Sequence, residues 1–219
     1  MIDLYSWNTS NGRKVSIMLE ELGLPYRFHP IDIAQGDQFD PNFQAISPNN
    51  KIPAIVDRDG PRGEISIFES GAILIYLAEK TTSDLLPEDP HRRMEVLAWL
   101  MFQMASIGPM FGQAFHFVKY AKEEIAYGKK RYMEEAHRLY GVLENSLAYH
   151  EYLVDDYSIA DIAVYPWVAR WEWLDINWHE YPNVKRWFDA VSARPAVQRG
   201  LVVQKVPQNN TEINNPRAA

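Results

Sequence analysis

The sequence contains no cysteine among its 219 residues. Disulfide bonds, thiolate metal sites and a cysteine nucleophile are therefore excluded, and a cytoplasmic location is the simplest expectation. Long apolar runs are missing as well. No run reaches the length of about 18 residues that a membrane span needs, and the first residues lack the basic start of a signal peptide. We therefore expect no membrane partner.

Excess positive charge and metal-binding spacings are also absent. The formal net charge of -7 argues against nucleic acid or an anionic membrane surface as a partner. The six histidines show none of the HxH, HxxxH or HExxH spacings, so we expect no metal site. Neither a GxGxxG loop nor a Walker loop occurs. These absences exclude several common classes of enzyme site.

The first third of the chain alternates between strand and helix patterns. Residues 2–7 read as a strand, and the apolar residues between 15 and 22 recur at helical spacing before Gly23. Extended structure resumes after Pro25, and residues 51–69 read as two strands around a Gly/Pro turn. A helix pattern then follows. The order predicts a βαβ unit, a hairpin and a helix, which form a small mixed sheet with helices.

The rest of the chain shows a helical pattern. Residues 81–94 are polar and resemble a linker, a kink is expected at Gly108–Pro109, and Ser158 with Asp161 forms a capping-box pattern. We find no convincing strand there. The predicted organisation is an α/β domain over residues 1–82, an all-helical domain over residues 92–204 and a loose tail over residues 205–219.

Three short segments are candidates for a binding site. Residues 9–12, TSNG, bring hydroxyls, an amide and backbone N–H groups to a strand-to-helix turn, which suits an anion and equally suits a helix cap. Glu69 and Ser70 match the ammonium and carboxylate of an amino acid, although Ser70 as a simple N-cap is the alternative. A cis Ile52–Pro53 bond would let Ile52 offer its N–H and C=O to an extended peptide; a trans proline on an edge strand is the alternative.

Five motifs in order carry a resemblance to a known family. They are TSNGRKV, SPNNKIPAIVD, FESGAILIYLAEK, GPMFGQ and YSIADIA. Together they resemble the cytosolic glutathione transferases, and more narrowly the bacterial Nu class of glutathione-dependent disulfide-bond oxidoreductases, from Met1 to about Leu201. The resemblance implies a thioredoxin-like N-terminal domain, an all-helical C-terminal domain, a homodimer and glutathione as the co-substrate.

The resemblance also implies roles for individual residues in binding glutathione. Glu69 and Ser70 would hold the γ-glutamyl end, and the main chain of Ile52, before a cis Pro53, would hold the cysteinyl unit. The remaining glutathione-binding residues would be Gln38 and Lys51 near the glycyl end and Arg131 from the helical domain. For Arg131, a solvated helix face is an equal interpretation, although a guanidinium suits a carboxylate.

The thiol of glutathione would face the turn after the first strand. In the Nu class the turn reads TPNG, and donors aimed at the sulfur lower the pKa of the thiol. Thr9 and Asn11 supply these donors by this resemblance. Ser10 stands where the class has proline, and a serine near this place is catalytic in other classes, so Ser10 ranks second. Tyr5 lies within the strand and ranks third.

These observations predict a glutathione-dependent enzyme that reduces small disulfides and also binds oxidised glutathione. The protein would stabilise the thiolate, and because it has no cysteine, both exchanging sulfurs would belong to ligands. Conjugation of glutathione to an electrophile is the alternative within enzymes, and a non-catalytic binding protein is the alternative outside them. For four aromatic residues the sequence leaves open whether they line the second-substrate pocket or pack in the core: Phe115, Phe117, Trp167 and Trp171.

Overall fold

The computed structural model describes residues 1–203 and the backbone of Glu212–Ile213. Within these residues the chain divides into two compact units. The first unit combines Met1–Ser83 with the chain from Arg194 onward, and the second unit is Asp84–Ala193. Each unit buries its own set of apolar side chains.

Strands and helices follow the predicted order, except for a short strand in the tail, where the sequence predicted none. The strands are β1 (Ile2–Ser6), β2 (Tyr26–Pro30), β3 (Ala54–Gly60), β4 (Gly63–Phe68) and β5 (Glu212–Ile213). The α-helices of the described residues are α1 (Ser10–Leu22), α2 (Pro41–Ile46), α3 (Ser70–Lys80), α4 (Pro90–Phe102), α5 (Gly108–Phe115), α6 (Ala126–Leu147), α7 (Ile159–Val168), α8 (Pro182–Ser192) and α9 (Pro195–Val202). Residues 84–193, all of them described, contain helices and isolated bridges but no strand. The second unit is all-helical, as predicted.

The first unit is built on one mixed sheet with the strand order β4-β3-β1-β2-β5. Strand β1 pairs in parallel with β2 and antiparallel with β3, and β3 and β4 form the hairpin. Because β1 and β2 are parallel, α1 is the crossover between them. The buried side chains of Val15, Met18 and Leu19 form the predicted apolar stripe of α1, and Gly23 ends that helix with a φ of 63°. This arrangement confirms the thioredoxin-like architecture.

The predicted interruption near Gly108–Pro109 is a change of helix type. A π-helical turn, Gln103–Ile107, lies between α4 and α5, and a second one, His116–Tyr120, follows α5. Proline has no N–H with which to close a regular i→i-4 hydrogen bond, so Pro109 favours wider turns just before it.

One helical segment of the described residues meets the length and composition of a membrane span. The segment Pro90–Tyr120 has 31 residues and a mean hydropathy of 1.2 in its most apolar window. A core helix of a water-soluble protein meets the same criterion. Leu100, Ile107 and Phe111 of this segment have no exposed surface, because they pack in the core of the second unit.

The last helix differs from the predicted domain division, which assigned residues 92–204 to the helical domain. Helix α9 belongs to the first unit and packs on α1. A Cβ atom on Gly200 would lie 2.6 Å from Cα of Ile17, so only glycine permits this approach. The hydroxyl of Ser16 also donates to the Gly200 carbonyl over 2.8 Å. The predicted tail, 205–219, lies outside the described residues apart from the backbone of β5.

Candidate active site

The sheet register brings three of the predicted segments to one end of the first unit. Ala54, the first residue of β3, pairs with Tyr5 near the end of β1 and with Phe68 at the end of β4. Pro53 precedes Ala54 directly, and Glu69 follows Phe68 directly. The turn after β1 leaves the sheet at the same end. The turn after β1 and the residues around Pro53 and Glu69, more than 40 positions further along the chain, therefore lie at the same end of the sheet.

The turn after β1 is a helix cap that retains a hydroxyl donor. Thr9 is the N-cap of α1 with extended backbone (φ -125°, ψ 163°), and its Oγ1 accepts a hydrogen bond from the Gly12 N–H over 3.1 Å. This bond uses a lone pair of the oxygen, so the Thr9 hydroxyl proton can still be donated. Asn11 is half-buried beside it, whereas Ser10 is buried. Capping and anion binding are therefore compatible at Thr9.

Tyr5, the third candidate for the thiol, lies in a different environment. Its ring stacks on His29 with 4.5 Å between centroids. Burial raises the pKa of the Tyr5 phenol above its ordinary value, and the charge of Asp3 acts in the same direction. A phenol with a raised pKa is a weaker proton donor to a thiolate. The ranking of Thr9 and Asn11 ahead of Tyr5 stays a prediction.

Helix α3 begins at a residue with an unfavourable backbone. Glu69 occupies the N-cap position with a φ of 69° and a ψ of 115°, and its side chain makes no capping hydrogen bond. The Glu69 side chain is exposed, whereas Ser70, the first residue of the helix, is only 3% exposed. The alternative of Ser70 as a simple N-cap does not describe this geometry. A non-glycine residue at positive φ often marks a binding site.

A buried lysine links the two helix starts, although no sequence motif pointed to it. Lys14 of α1 has no exposed surface, and its Nζ donates to Ser70 Oγ over 3.2 Å. Burial lowers the pKa of Lys14 to about 7, and the charge of Glu69 opposes that shift. A sequence signal existed, because Lys14 stands four residues before Met18 and thus flanks the apolar stripe of α1.

The residues predicted for the cysteinyl and glycyl ends of glutathione precede β3. The Ile52–Pro53 peptide bond is cis, as the resemblance implies. Lys51 is exposed, and its carbonyl accepts a hydrogen bond from the Ser47 hydroxyl over 2.8 Å. Gln38 is half-buried, and its Oε1 has no hydrogen-bond partner among the described residues. Gln38 therefore holds a buried acceptor without a described partner, and its role in binding glutathione stays a prediction.

Arg131 lies in the second unit, on α6. Its side chain is exposed and lines a cavity of about 670 Å³. The other lining residues are one methionine, two tyrosines, two basic and two acidic side chains: Met110, Tyr127, Lys130, Tyr132, Glu134, Glu135 and Arg138. Arg138 is held by two hydrogen bonds to the Glu135 carboxylate, both 2.8 Å. In the part of the chain that the structure describes, no cluster of His, Asp and Glu could hold a metal ion.

Each aromatic residue left open by the sequence contacts another aromatic ring. Phe115 is 5% exposed and stacks on Trp167, with 5.8 Å between centroids. Phe117 stacks on Tyr132 at 5.5 Å. Gly112 faces the Trp167 indole, where a Cβ atom would lie 3.6 Å from the ring. Core packing accounts for Phe115, while Trp167 keeps a partly exposed face.

The remaining open residue, Trp171, lies in the turn after α7. It contacts Trp178, with 5.2 Å between ring centroids, and is half-buried. Its surroundings are therefore aromatic as well.

Sequence profiles of a known family match both units. Residues 4–83 match the N-terminal domain of glutathione S-transferase, and residues 98–195 match its C-terminal domain. The chain belongs to the glutathione transferase family. This glutathione transferase is 46% identical over 205 residues to the disulfide-bond oxidoreductase YfcG of Escherichia coli K12, with 92% of this chain and 95% of that protein covered.

Two solved structures resemble this glutathione transferase closely. A glutathione transferase from Pseudomonas putida, with one glutathione disulfide bound per subunit, superposes with a TM-score of 0.88 at 47% identity and covers 91% of this chain and 90% of its own. A family member from Pseudomonas fluorescens, with two glutathione bound, superposes with a TM-score of 0.87 at 48% identity. The match covers 91% of this chain and 92% of that chain.

Proposed function

We propose that this glutathione transferase reduces small disulfides with two molecules of glutathione. The thiolate of the first glutathione attacks one sulfur of the disulfide, forms a mixed disulfide and releases a thiolate, which takes up a proton. A second glutathione thiolate then attacks the glutathione sulfur of the mixed disulfide and releases the second thiol. Two glutathione are oxidised to one glutathione disulfide while the substrate disulfide is reduced to two thiols.

The observation that carries this proposal is that three candidate segments lie together in a chain without cysteine. The Thr9 turn, the cis Ile52–Pro53 bond and Glu69 lie at one end of the sheet. Since the chain has no cysteine, it forms no mixed disulfide of its own, and both exchanging sulfurs come from ligands. The oxidoreductase YfcG and the two bound neighbours support this chemistry.

The proposed roles follow the resemblance. Thr9 and Asn11 donate to the glutathione sulfur, with Ser10 as the second candidate. The γ-glutamyl end binds Glu69, whose carboxylate suits an ammonium, and Ser70, whose hydroxyl and backbone N–H suit a carboxylate. The other proposed contacts are the main chain of Ile52 next to Pro53 for the cysteinyl unit, Gln38 and Lys51 for the glycyl end, and Arg131 for a glutathione carboxylate.

Parallel assays of disulfide reduction and conjugation test the proposal. The purified protein is supplied with glutathione and a small dialkyl disulfide, and formation of glutathione disulfide is followed; a second assay supplies an aryl halide. We expect reduction well above the uncatalysed exchange rate, with two glutathione consumed per disulfide. Treating the protein alone with a thiol-alkylating reagent should leave this rate unchanged, because the chain has no thiol.

The two alternatives predict different outcomes in the same assays. Strong conjugation of the aryl halide without disulfide reduction would establish a conjugating transferase and overturn the proposal. Tight binding of glutathione with neither reaction would indicate a non-catalytic binding protein. The assay thus separates all three classes.

We propose a cytoplasmic homodimer as the working form. Two exposed methionines on α4, Met94 at 64% and Met101 at 50%, are apolar surface that a second copy could cover. Light scattering at micromolar concentration should give twice the chain mass of 25.4 kDa. A monomer would contradict the homodimer. The dependence on reduced glutathione favours a reducing compartment such as the cytoplasm.

A further inference from the structure

The first unit contains a buried lysine for which the proposed chemistry has no role. Lys14 is completely buried, a rare situation for lysine unless it has a partner. Its Nζ lies 3.2 Å from Ser70 Oγ, and Ser70 itself is 3% exposed. The contact joins positions 56 residues apart and bridges α1 to the start of α3.

The direction of this hydrogen bond is determined by chemistry. An ammonium group carries only donors, so Ser70 Oγ is the acceptor when Lys14 is charged. The hydroxyl proton of Ser70 is then directed away from the ammonium. In the proposed site Ser70 donates this proton to the α-carboxylate of the γ-glutamyl group, so a charged Lys14 would place one positive charge behind that carboxylate.

The charges that face Lys14 come from few groups. Glu69, at the start of α3, acts on the ammonium and favours its charged form. The acidic residues further along α1 are already paired, because Glu20 bonds Arg199 of α9 and Glu21 bonds Arg194 just before α9, both at 2.7 Å.

On the neighbouring strand β1, Asp3 pairs with Arg58 and His29, both at 2.8 Å. Among the described residues, Glu69 is therefore the acidic group whose charge acts on Lys14, and its carboxylate is proposed to bind the ligand ammonium.

We propose that Lys14 is the buried counter-charge of the γ-glutamyl carboxylate and takes up a proton when the ligand binds. The inference rests on the proposed function, because it assigns a residue behind the same site. Burial lowers the pKa of Lys14 to about 7 in the free protein, so much of it is neutral at pH 7.5. A ligand carboxylate close to Ser70 favours the ammonium form and raises that pKa.

This coupling has a definite dependence on pH. Below about pH 6 Lys14 is charged with or without ligand, so affinity does not change with pH. Above pH 7 binding must add a proton, and affinity falls with rising pH by up to about tenfold per pH unit. At pH 7.5, a free pKa of about 7 corresponds to uptake of up to about 0.75 proton per ligand.

Calorimetry with S-methylglutathione tests the inference. The methyl group removes the thiol, so no proton is released from sulfur, and titrations in buffers of different ionisation enthalpy report the protons taken up. Wild type should take up a proton fraction at pH 7.5 and almost none at pH 6. Lys14→Met should bind at least tenfold more weakly at pH 6 and take up none. Lys185→Met, which removes an exposed lysine paired with Asp189, is the matched control and should behave as wild type.

The outcomes separate this inference from the proposed function. Binding of S-methylglutathione by wild type without proton uptake at any pH from 6 to 8 overturns the role of Lys14 and leaves the proposed function intact. Equal uptake by wild type and Lys14→Met assigns the proton to another group and also overturns it. Any proton taken up or released by the ligand itself is common to both proteins and cancels when the uptake by Lys14→Met is subtracted from that of wild type. Failure of wild type to bind any glutathione derivative removes the proposed function together with this inference.

Discussion

The helices α3 and α7 begin in opposite ways. At α7, Ser158 caps the helix and the buried Asp161 accepts hydrogen bonds from the backbone N–H groups of Leu153 and Ser158 and from the Trp187 indole. At α3, Glu69 holds the N-cap position at positive φ, and its exposed carboxylate makes no capping bond. Both starts place a carboxylate in or next to the first turn of the helix, yet only the Asp161 carboxylate accepts hydrogen bonds from the chain around the helix start.

The difference separates a start that stabilises the fold from one that is available to a ligand. Where the chain supplies every partner, as around Asp161, removing the carboxylate leaves buried donors unsatisfied. Where the backbone is unfavourable and the side chain faces solvent, as at Glu69, the same removal costs the fold little. Each prediction below tests one side of this comparison.

The largest effect is expected for Asp161→Ala. The substitution leaves three buried N–H groups without an acceptor, so the free energy of unfolding should fall by about 3–5 kcal/mol. Urea unfolding followed by tryptophan fluorescence measures this change. Asp189→Ala, which removes an exposed carboxylate paired with Lys185, is the control and should change it by less than about 0.5 kcal/mol. A loss below 1 kcal/mol for Asp161→Ala would contradict a structural role for this network.

The second effect is a gain of stability in Lys14→Met. The pKa of Lys14 is about 7 in the folded protein and 10.5 for an ordinary lysine. Between about pH 7 and 10.5 the folded state therefore binds fewer protons than the unfolded state, so wild type becomes more stable as the pH rises through this range. The variant should be more stable by about 2–4 kcal/mol at pH 6.5, and by less at pH 9. Urea unfolding at both pH values measures the difference. A gain that is independent of pH would show that Lys14 is not a buried titrating group.

The third effect is a loss of binding in Glu69→Ala. A charge-assisted hydrogen bond contributes about 1.5–3 kcal/mol, so glutathione should bind at least about tenfold more weakly, while the free energy of unfolding stays nearly constant. Calorimetric titration and urea unfolding give the two quantities. Glu79→Ala, at an exposed position near the end of α3, controls for the loss of one charge. Unchanged affinity in a folded Glu69→Ala protein would exclude Glu69 from the γ-glutamyl site.

The smallest effect concerns the thiol. Asn11→Ala and Thr9→Ala should each raise the pKa of bound glutathione thiol by about 1, equivalent to about 1.4 kcal/mol, whereas Ser10→Ala should change it little. Thiolate absorbance against pH measures each value. Thr9→Ser keeps the hydroxyl and the cap, so it controls for loss of helix capping. A rise confined to Ser10→Ala would instead indicate a serine-type site.

Much of the fold was predictable because its signals are local. The stripe of α1, the Gly23 stop and the capping box of α7 each depend on residues within one or two turns, and the structure confirms them. The candidate segments at Thr9 and Glu69 could also be chosen locally, since each stands where a strand pattern changes to a helix pattern. Their functional roles remain predictions.

The sequence by itself determined the identity of the elements, the absence of a protein thiol and the residue types at each helix start. Only the tertiary structure decided which of them meet. Strand register placed Ala54 between Tyr5 and Phe68, Gly200 let α9 return to α1, and a contact across 56 positions turned Lys14 from one more helical lysine into a buried partner of Ser70. Local patterns report propensities within a few residues, whereas burial and charge pairing depend on neighbours that the fold alone brings together.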